Sequence, residues 1–448
     1  MSPRPLTDEE LFGFLRDGFI TVQSTLDEAF HARIWTAIDQ CFADDGNPGN
    51  NLLPRIPDIQ LVLDDAPVKG ALSSLLGADY YAQPHRHPHV NRPGSAGQQM
   101  HQDGGKRWSH RTRRLLVFYY PQETPEELGP TGVVPGSQYY STALGSTLNP
   151  EAPVVGPAGS VTLANYDLGH RAMPNRGART RYMLKFLFTR MSEPDAPRWQ
   201  AEDIYSAFDG DPMEQHAWRW HRRLDAPVTT ADGTSDAELL RGLADPDERV
   251  GLASAYTLAD RGRGAASELA CVLGSESEDG ARNASYALAA LGTEAVDDVA
   301  RVLSADSPAA RARAAETLGD MGSAAGAASE PLVDAAEDGE VIVRRSAVEA
   351  LGTVCQAPGE ASTTLAGALS DCDERVRRNA ALALARLGEH ASGAEGAIAA
   401  ALRDESRYVR ADAAHALRRV GSPEARSSLL DFLTVARWCP DTSPRSTH

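Results

Sequence analysis

Leucines that recur every 30 to 33 residues fill the second half of the chain and constrain its fold more tightly than any other feature. A residue in the same register, a glycine in five cases and a cysteine in one, follows each leucine four positions later. The pairs are Leu258 and Gly262, Leu288 and Gly292, Leu318 and Gly322, Leu351 and Cys355, Leu384 and Gly388, and Leu417 and Gly421. A second ladder consists of Leu243, Leu273, Leu303, Ala336, Leu369 and Leu402. A helical hairpin of this length cannot bury its own apolar face, so the units must stack.

The runs between these leucines favour helices, because they are rich in alanine and place apolar residues at helical spacing. The pattern resembles short HEAT-like repeats and predicts an all-α solenoid over residues 235–438, with six repeats and a half-repeat cap at residues 236–243. Four arginines recur once per repeat, and we interpret them as a ladder that bonds neighbouring repeats: Arg311, Arg344, Arg377 and Arg410. We expect the repeats to pack on the preceding domain, to mediate oligomerisation or to bind another protein.

The charge of the chain is unevenly distributed. The net charge is −18, and residues 201–448 carry 25 basic and 41 acidic side chains against 19 and 21 in residues 1–200. Such an acidic array repels nucleic acid and anionic membranes, so we expect neither as a partner. Five scattered cysteines without a Cys-x-x-Cys motif, together with the lack of a visible signal peptide or a long apolar run, predict a cytoplasmic protein.

The first half contains a group of residues that suits a metal ion. His101-Gln102-Asp103 would place its first and third side chains on one face of a strand. A distant His170 completes a set of two imidazoles and one carboxylate, which leaves three positions of an octahedral ion open, as in non-haem Fe(II) oxygenases. Arg181 follows with a planar fork that suits the carboxylate of a 2-oxo acid. About one His-x-Asp is expected by chance in a chain of this composition, so the context decides its weight.

That context is a series of short predicted strands at residues 80–91, 113–120, 161–166 and 180–189, rich in aromatic and β-branched residues. Glycine- and proline-rich turns between them predict a double-stranded β-helix, or jelly roll, with flanking helices. On residues 80–91, His85, His87 and His89 share one face, which is either a substrate-facing wall or an exposed strand face. We place the oxygenase-like domain at 1–191, a linker at 192–234 and a tail at 439–448.

Several motifs in order resemble the phytanoyl-CoA dioxygenase family of Fe(II)/2-oxoglutarate oxygenases over residues 7–190. The opening run 6–20 is similar to that family's first helix and strand, and it reads as a helix capped by Thr7 and Glu10. The other matching segments are the His-x-Asp run at 99–104, the Gly-Pro to Pro-Gly-Ser turn at 129–137, and His170, Asn175 and Arg181 at the family's spacing. Gln138 and Ala172 depart from it, because the family usually has His and Ser there.

The resemblance implies an enzyme in which His101, Asp103 and His170 hold Fe(II). Arg181, helped by Gln99 and Thr131, would bind 2-oxoglutarate, and O2 would be the oxidant. The expected outcome is oxidation, usually hydroxylation, of a C–H bond in a small organic substrate, for which family habit suggests natural-product biosynthesis. The carboxylate of Asp103 argues against halogenation, since related halogenases have a small residue there. The alternative is a catalytically inactive oxygenase fold attached to a protein-interaction scaffold.

Overall fold

A computed structural model describes residues 3–104, 109–141, 149–202, 211–223, 233–354 and 358–435. The chain divides into two compact units. The described residues up to 202, together with 217–223, form the first unit, and residues 211–216 with those from 233 onward form the second. The predicted tail 439–448 and Cys355 of the leucine ladder lie outside the described residues.

The first helix, α1 (Asp8–Asp17), begins and ends as the sequence predicts. The Thr7 hydroxyl accepts a hydrogen bond from the Glu10 amide at 3.2 Å, and the Glu10 carboxylate accepts one from the Thr7 amide at 2.9 Å. This capping box is confirmed, and it satisfies amides that no helical carbonyl can reach. Gly18 ends the helix in the left-handed conformation, with φ +82°, and turns the chain into the first strand.

Five further helices belong wholly or in part to the first unit. They are α2 (Glu28–Asp45), α3 (Leu52–Arg55), α4 (Ile59–Leu63), α5 (Ala66–Leu76) and α6 (Pro212–Arg222). Only residues 217–222 of α6 belong to this unit. Trp218 from this part of α6 packs against Trp199 in the same apolar core, so the segment predicted as a linker contributes side chains to the first unit.

Eight strands form two antiparallel sheets in the first unit. The strands are β1 (Phe19–Gln23), β2 (Tyr80–Asn91), β3 (Arg114–Tyr120), β4 (Thr131–Val133), β5 (Ala152–Val154), β6 (Ser160–Asn165), β7 (His170–Ala172) and β8 (Arg181–Arg190). The larger sheet has the order β1-β6-β3-β8-β2, and the smaller has the order β5-β4-β7. Two sheets with flanking helices confirm the predicted double-sheet fold, and β2, β3, β6 and β8 lie within a residue or two of their predicted bounds.

The larger sheet is buried on both faces. One face, with Val117 and Leu184 among its residues, packs against α1, α2, α4 and α5 in the main apolar core. The other face carries Phe118, Met183 and Leu187, which pack with Val133 of the smaller sheet. Because successive side chains of a strand point to opposite faces, the odd-numbered residues of β8 share the space between the sheets.

The second unit is helical throughout its described residues. Its helices are α7 (Asp236–Gly242), α8 (Glu248–Asp260), α9 (Ala266–Leu273), α10 (Glu278–Leu291), α11 (Val296–Val302), α12 (Pro308–Met321), α13 (Ser329–Ala335), α14 (Val341–Val354), α15 (Pro358–Ala368), α16 (Glu374–Leu387), α17 (Glu395–Ala401), α18 (Arg407–Val420) and α19 (Pro423–Val435). These are the half-repeat cap and the six hairpins that the sequence predicts. Every leucine of the first ladder is fully buried, and the five glycines of the register have positive φ at or beside the ends of the longer helices.

The arginine ladder is confirmed for three of its four members, whereas Arg410 donates only to backbone carbonyls at the start of its own repeat among the described contacts. The side chains of Arg311, Arg344 and Arg377 each pair through Nε, at 2.7–2.8 Å, with an aspartate 27 residues further along the chain. Each also donates through Nη1 to two backbone carbonyls at the start of its own repeat. These guanidinium groups therefore bond one repeat to the next. A guanidinium can donate two parallel hydrogen bonds to one carboxylate, which makes such a contact strong. No described helix is both long enough and apolar enough to cross a membrane.

Candidate metal centre

Two backbone hydrogen bonds bring the distant halves of the predicted metal site together. The His101 amide donates to the His170 carbonyl at 3.0 Å, and the His170 amide donates to the His101 carbonyl at 2.8 Å. The prediction that His101 to Asp103 forms a continuous strand is wrong, because only His101 makes a β-bridge. The reason is Gln102, whose amide nitrogen lies within 2.8–3.2 Å of three backbone carbonyls and holds the chain out of further strand pairing.

Both imidazoles are held so that the same ring nitrogen faces Asp103. His101 donates from Nδ1 to the Gln99 carbonyl at 3.0 Å, and His170 donates from Nδ1 to the Leu168 carbonyl at 2.9 Å. A carbonyl can only accept, so Nε2 is left as the lone-pair nitrogen of each neutral ring. Such a bond fixes both the tautomer and the orientation of a histidine ligand.

The three donor groups are close enough for one ion. The two Nε2 atoms lie 3.8 and 4.0 Å from Oδ1 of Asp103, and all three candidate ligand atoms lie within 4.8 Å of one another. Two donors that are each about 2.1 Å from an ion are at most about 4.2 Å apart. The distances to Asp103 satisfy this limit, and the nitrogen and carboxylate donors suit Fe(II).

Electrostatics favour the protonation states that bind a metal. Burial, followed by the Lys185 ammonium, lowers the pKa of His170 to about 4, so this ring is neutral at neutral pH. Burial alone would raise the pKa of Asp103, but Lys185 and the two imidazoles outweigh burial and hold it below its usual value. Asp103 is therefore ionised where His170 is neutral.

Lys185 is the residue of this site that the sequence analysis missed. Its ammonium pairs with Oδ2 of Asp103, and the residue is only 5% exposed. It lies on β8 four positions after Arg181, so the two side chains share the face between the sheets. Every second residue from Arg181 along the predicted strand 180–189 faces the same side, and this alternation is the sequence signal that indicates Lys185.

Arg181 lies fully buried at the start of β8, with 1% of its surface exposed. Its Nε and Nη2 donate to the Gly129 carbonyl at 3.0 and 2.9 Å. Thr131, also buried, accepts a 2.7 Å hydrogen bond from the Tyr120 hydroxyl, and Tyr120 interacts electrostatically with Arg181. By contrast, Gln99 is exposed, and its recorded role at the site is the backbone carbonyl that orients His101.

The histidine row on β2 lies on the same side of the sheet as these cations. In the β2–β8 pairing, His87 is opposite Lys185 and His89 is opposite Met183, so their side chains share the space between the sheets. The rings of His85 and His87 are 4.3 Å apart. Burial, followed by Lys185 and Arg181, lowers the pKa of His89 to about 3. This placement favours the wall interpretation over an exposed strand face.

Two cavities of the first unit lie away from these residues. One, of about 190 Å³, is lined by residues that include Arg190, Trp199 and His221. The other, of about 530 Å³, is lined by residues that include Trp35 and Arg179. The guanidinium of Arg179 lies over the Trp35 ring, 5.8 Å from its centre. Arg179 and Arg181 therefore have different surroundings.

Comparison with known families agrees with this description of the two units. Residues 35–183 match the family model of phytanoyl-CoA dioxygenase (PhyH), and three overlapping segments, 266–352, 329–395 and 361–438, match HEAT repeats. The chain thus carries a PhyH domain followed by HEAT repeats. The first of these families consists of Fe(II)- and 2-oxoglutarate-dependent oxygenases, and His101, Asp103 and His170 of this chain are a group that could hold an iron ion.

Among solved structures, the carbocyclase SnoK from nogalamycin biosynthesis is 17% identical, with a TM-score of 0.36 over 43% of this chain and 88% of its own. The epimerase SnoN from the same biosynthesis is 16% identical, with a TM-score of 0.37 over 45% and 89%. CytC3 with Fe(II) and α-ketoglutarate is 16% identical, with a TM-score of 0.34 over 42% and 79%. No curated protein matches the chain significantly.

Proposed function

We propose that the chain is an Fe(II)/2-oxoglutarate-dependent dioxygenase that oxidises, in the simplest case hydroxylates, a C–H bond of a small organic molecule. His101, Asp103 and His170 are the metal ligands in this proposal. The observation that carries it is the orientation of both imidazoles, whose Nε2 atoms face one carboxylate oxygen although the two histidines lie 69 residues apart. When bound, the iron and 2-oxoglutarate supply the oxidising power, and the protein supplies binding and position.

Arg181 would pair with the far carboxylate of 2-oxoglutarate, with Thr131 beside it. Support comes from the burial of the guanidinium, because a charge pair is strongest where water is excluded. Gln99 is exposed, and it contacts His101 through its backbone carbonyl. The ring of Phe118 lies 5.7 Å from that of His170 and gives this buried ligand an apolar neighbour.

Two further parts of the proposal concern the substrate. The carboxylate of Asp103 occupies the position that a halide would need, which supports hydroxylation or a related oxidation over halogenation. We place the substrate among small organic molecules, such as intermediates of natural-product biosynthesis, on family habit. Partner proteins of the HEAT repeats are a separate proposal, supported by the general use of such arrays in binding.

The test is the formation of succinate without added substrate. Purified protein given Fe(II), 2-oxoglutarate and O2 should release succinate slowly, and His101→Ala and His170→Ala should each abolish the release. His390→Ala, at an exposed position of the solenoid, is the matched control and should leave it unchanged. Succinate release that persists in the His101→Ala protein would refute the ligand assignment. A wild-type protein that binds Fe(II) and 2-oxoglutarate but releases no succinate would favour the scaffold alternative.

A further inference from the structure

The interior of the PhyH domain holds two buried cations on one strand. Arg181 and Lys185 are 1% and 5% exposed, and both point from β8 into the space between the sheets. Among the described residues, one acidic side chain pairs with these two cations, namely Asp103, which contacts Lys185. A charge buried without a counter-ion is costly, so the surplus cation points to an anion that joins the site.

The expected cofactors do not remove this surplus. On the proposed function, the dianion of 2-oxoglutarate balances the divalent ion, and one carboxylate of that dianion pairs with Arg181. Asp103 is then the one carboxylate that serves both the ion and Lys185. Within the described residues, the filled site therefore retains one more positive charge than negative. The ammonium of Lys185 is the cation left without an anion of its own, because it shares Asp103 with the metal ion.

The wall beside Lys185 also offers an unused hydrogen-bonding atom. His89 Nε2 is buried and has no hydrogen-bond partner among the described residues. Burial keeps this ring neutral, since it lowers the pKa of His89 to about 3. In the β2–β8 pairing His89 is the diagonal neighbour of Lys185, and its neutral imidazole adds a polar atom that a hydrogen-bonding anion satisfies and an apolar group does not.

We propose that Lys185, with His89 beside it, selects a substrate that carries an anionic oxygen group, either a carboxylate or a phosphate ester. The inference rests on the proposed function and deepens it, because it names the substrate class of the same site. Lys185 is then a specificity-determining residue: its ammonium contacts the substrate anion while Asp103 serves the metal.

Binding, measured without turnover, tests this proposal. The protein is loaded anaerobically with Fe(II) and 2-oxoglutarate, and the visible absorbance of that complex is followed as four probes are added: phenylacetate, phenylacetamide, phenyl phosphate and phenol. Phenylacetamide has nearly the shape of phenylacetate without its charge, and phenol is phenyl phosphate without its phosphate group. We expect at least one acid to bind about tenfold or more tightly than its partner, as a charge-assisted hydrogen bond provides. The stronger of the two acids identifies the anionic group.

Variants separate this role from a structural one. Lys185→Met should bring the ratio of acid to uncharged affinity close to one while the absorbance of the complex persists, and Lys185→Arg should restore the preference. The proposal is overturned if wild-type protein shows no preference, if Lys185→Met keeps it, or if Lys185→Met loses the absorbance, since Lys185 would then only position Asp103. Failure of wild-type protein to form the absorbing complex at all would instead count against the proposed function.

Discussion

Arg181→Met is the substitution that tests the co-substrate site most directly. The side chain donates to the Gly129 carbonyl through Nε and Nη2, and a third nitrogen, Nη1, remains for a carboxylate. Hydrogen bonds to charged groups contribute about 1.5–3 kcal/mol. Their loss should raise the KM for 2-oxoglutarate about 10- to 150-fold.

The same substitution should change the free energy of unfolding much less. The Gly129 carbonyl keeps a 3.0 Å hydrogen bond from the Asn91 amide, so it is not left unsatisfied when Arg181 is removed. Removal of a buried cation also relieves the cost of its desolvation. We expect these effects to offset one another to within about 1 kcal/mol.

The assay is the dependence of succinate release on 2-oxoglutarate concentration, together with calorimetric titration of 2-oxoglutarate into Mn(II)-loaded protein. Arg179→Met is the matched control, because Arg179 lies over the Trp35 ring and lines a separate cavity. Its KM should equal that of the wild type. An unchanged KM for Arg181→Met together with a raised KM for Arg179→Met would refute the assignment and exchange the two roles.

Three further predictions concern stability. Arg344→Leu removes a two-point ion pair and should lower the free energy of unfolding, measured in urea, by about 2–3 kcal/mol. Arg410 has no carboxylate partner among the described residues, so Arg410→Leu should lower it by only about 1 kcal/mol. Equal losses in the two variants would contradict the ladder. The pKa of His89 is lowered from 6.5 to about 3, so on acidification the unfolded chain binds the proton before the folded protein does. The free energy of unfolding should therefore fall by up to about 1.4 kcal/mol per pH unit as the pH drops below 6.5. His89→Phe should reduce this dependence of the free energy of unfolding on pH, as measured by denaturation curves. Gly18→Ala places a Cβ 2.3 Å from a side-chain oxygen at φ +82° and should destabilise by more than about 1 kcal/mol, while Gly13→Ala in the open interior of α1 should raise the melting temperature.

The parts of this structure that sequence predicts are those that depend on near neighbours. The capping box of α1 needs only Thr7 and Glu10, three residues apart, and the solenoid repeats its leucines at a fixed period. Alternation along the predicted strand places Lys185 on the face of Arg181, but it does not give the partner of Lys185. Its contact with Asp103 spans 82 residues and depends on which strands are neighbours in the sheet. The strand expected at His101 failed because the three carbonyls that hold Gln102 come from distant segments.

Side chains of β8 alternate between two faces of the sheet, and residues on one face serve folding whereas those on the other lie at the proposed site. Leu184 and Phe186 point to the helices and belong to the main apolar core, so changes there should act on folding. Arg181 and Lys185 point the other way, into the space beside the metal ligands, and among the described residues Asp103 balances one of their two charges. Because the strand lies between β2 and β3, its backbone is fixed on both sides, and neither cation can move far to reach water. Our proposals therefore assign an anion to each cation, the co-substrate to Arg181 and the substrate to Lys185.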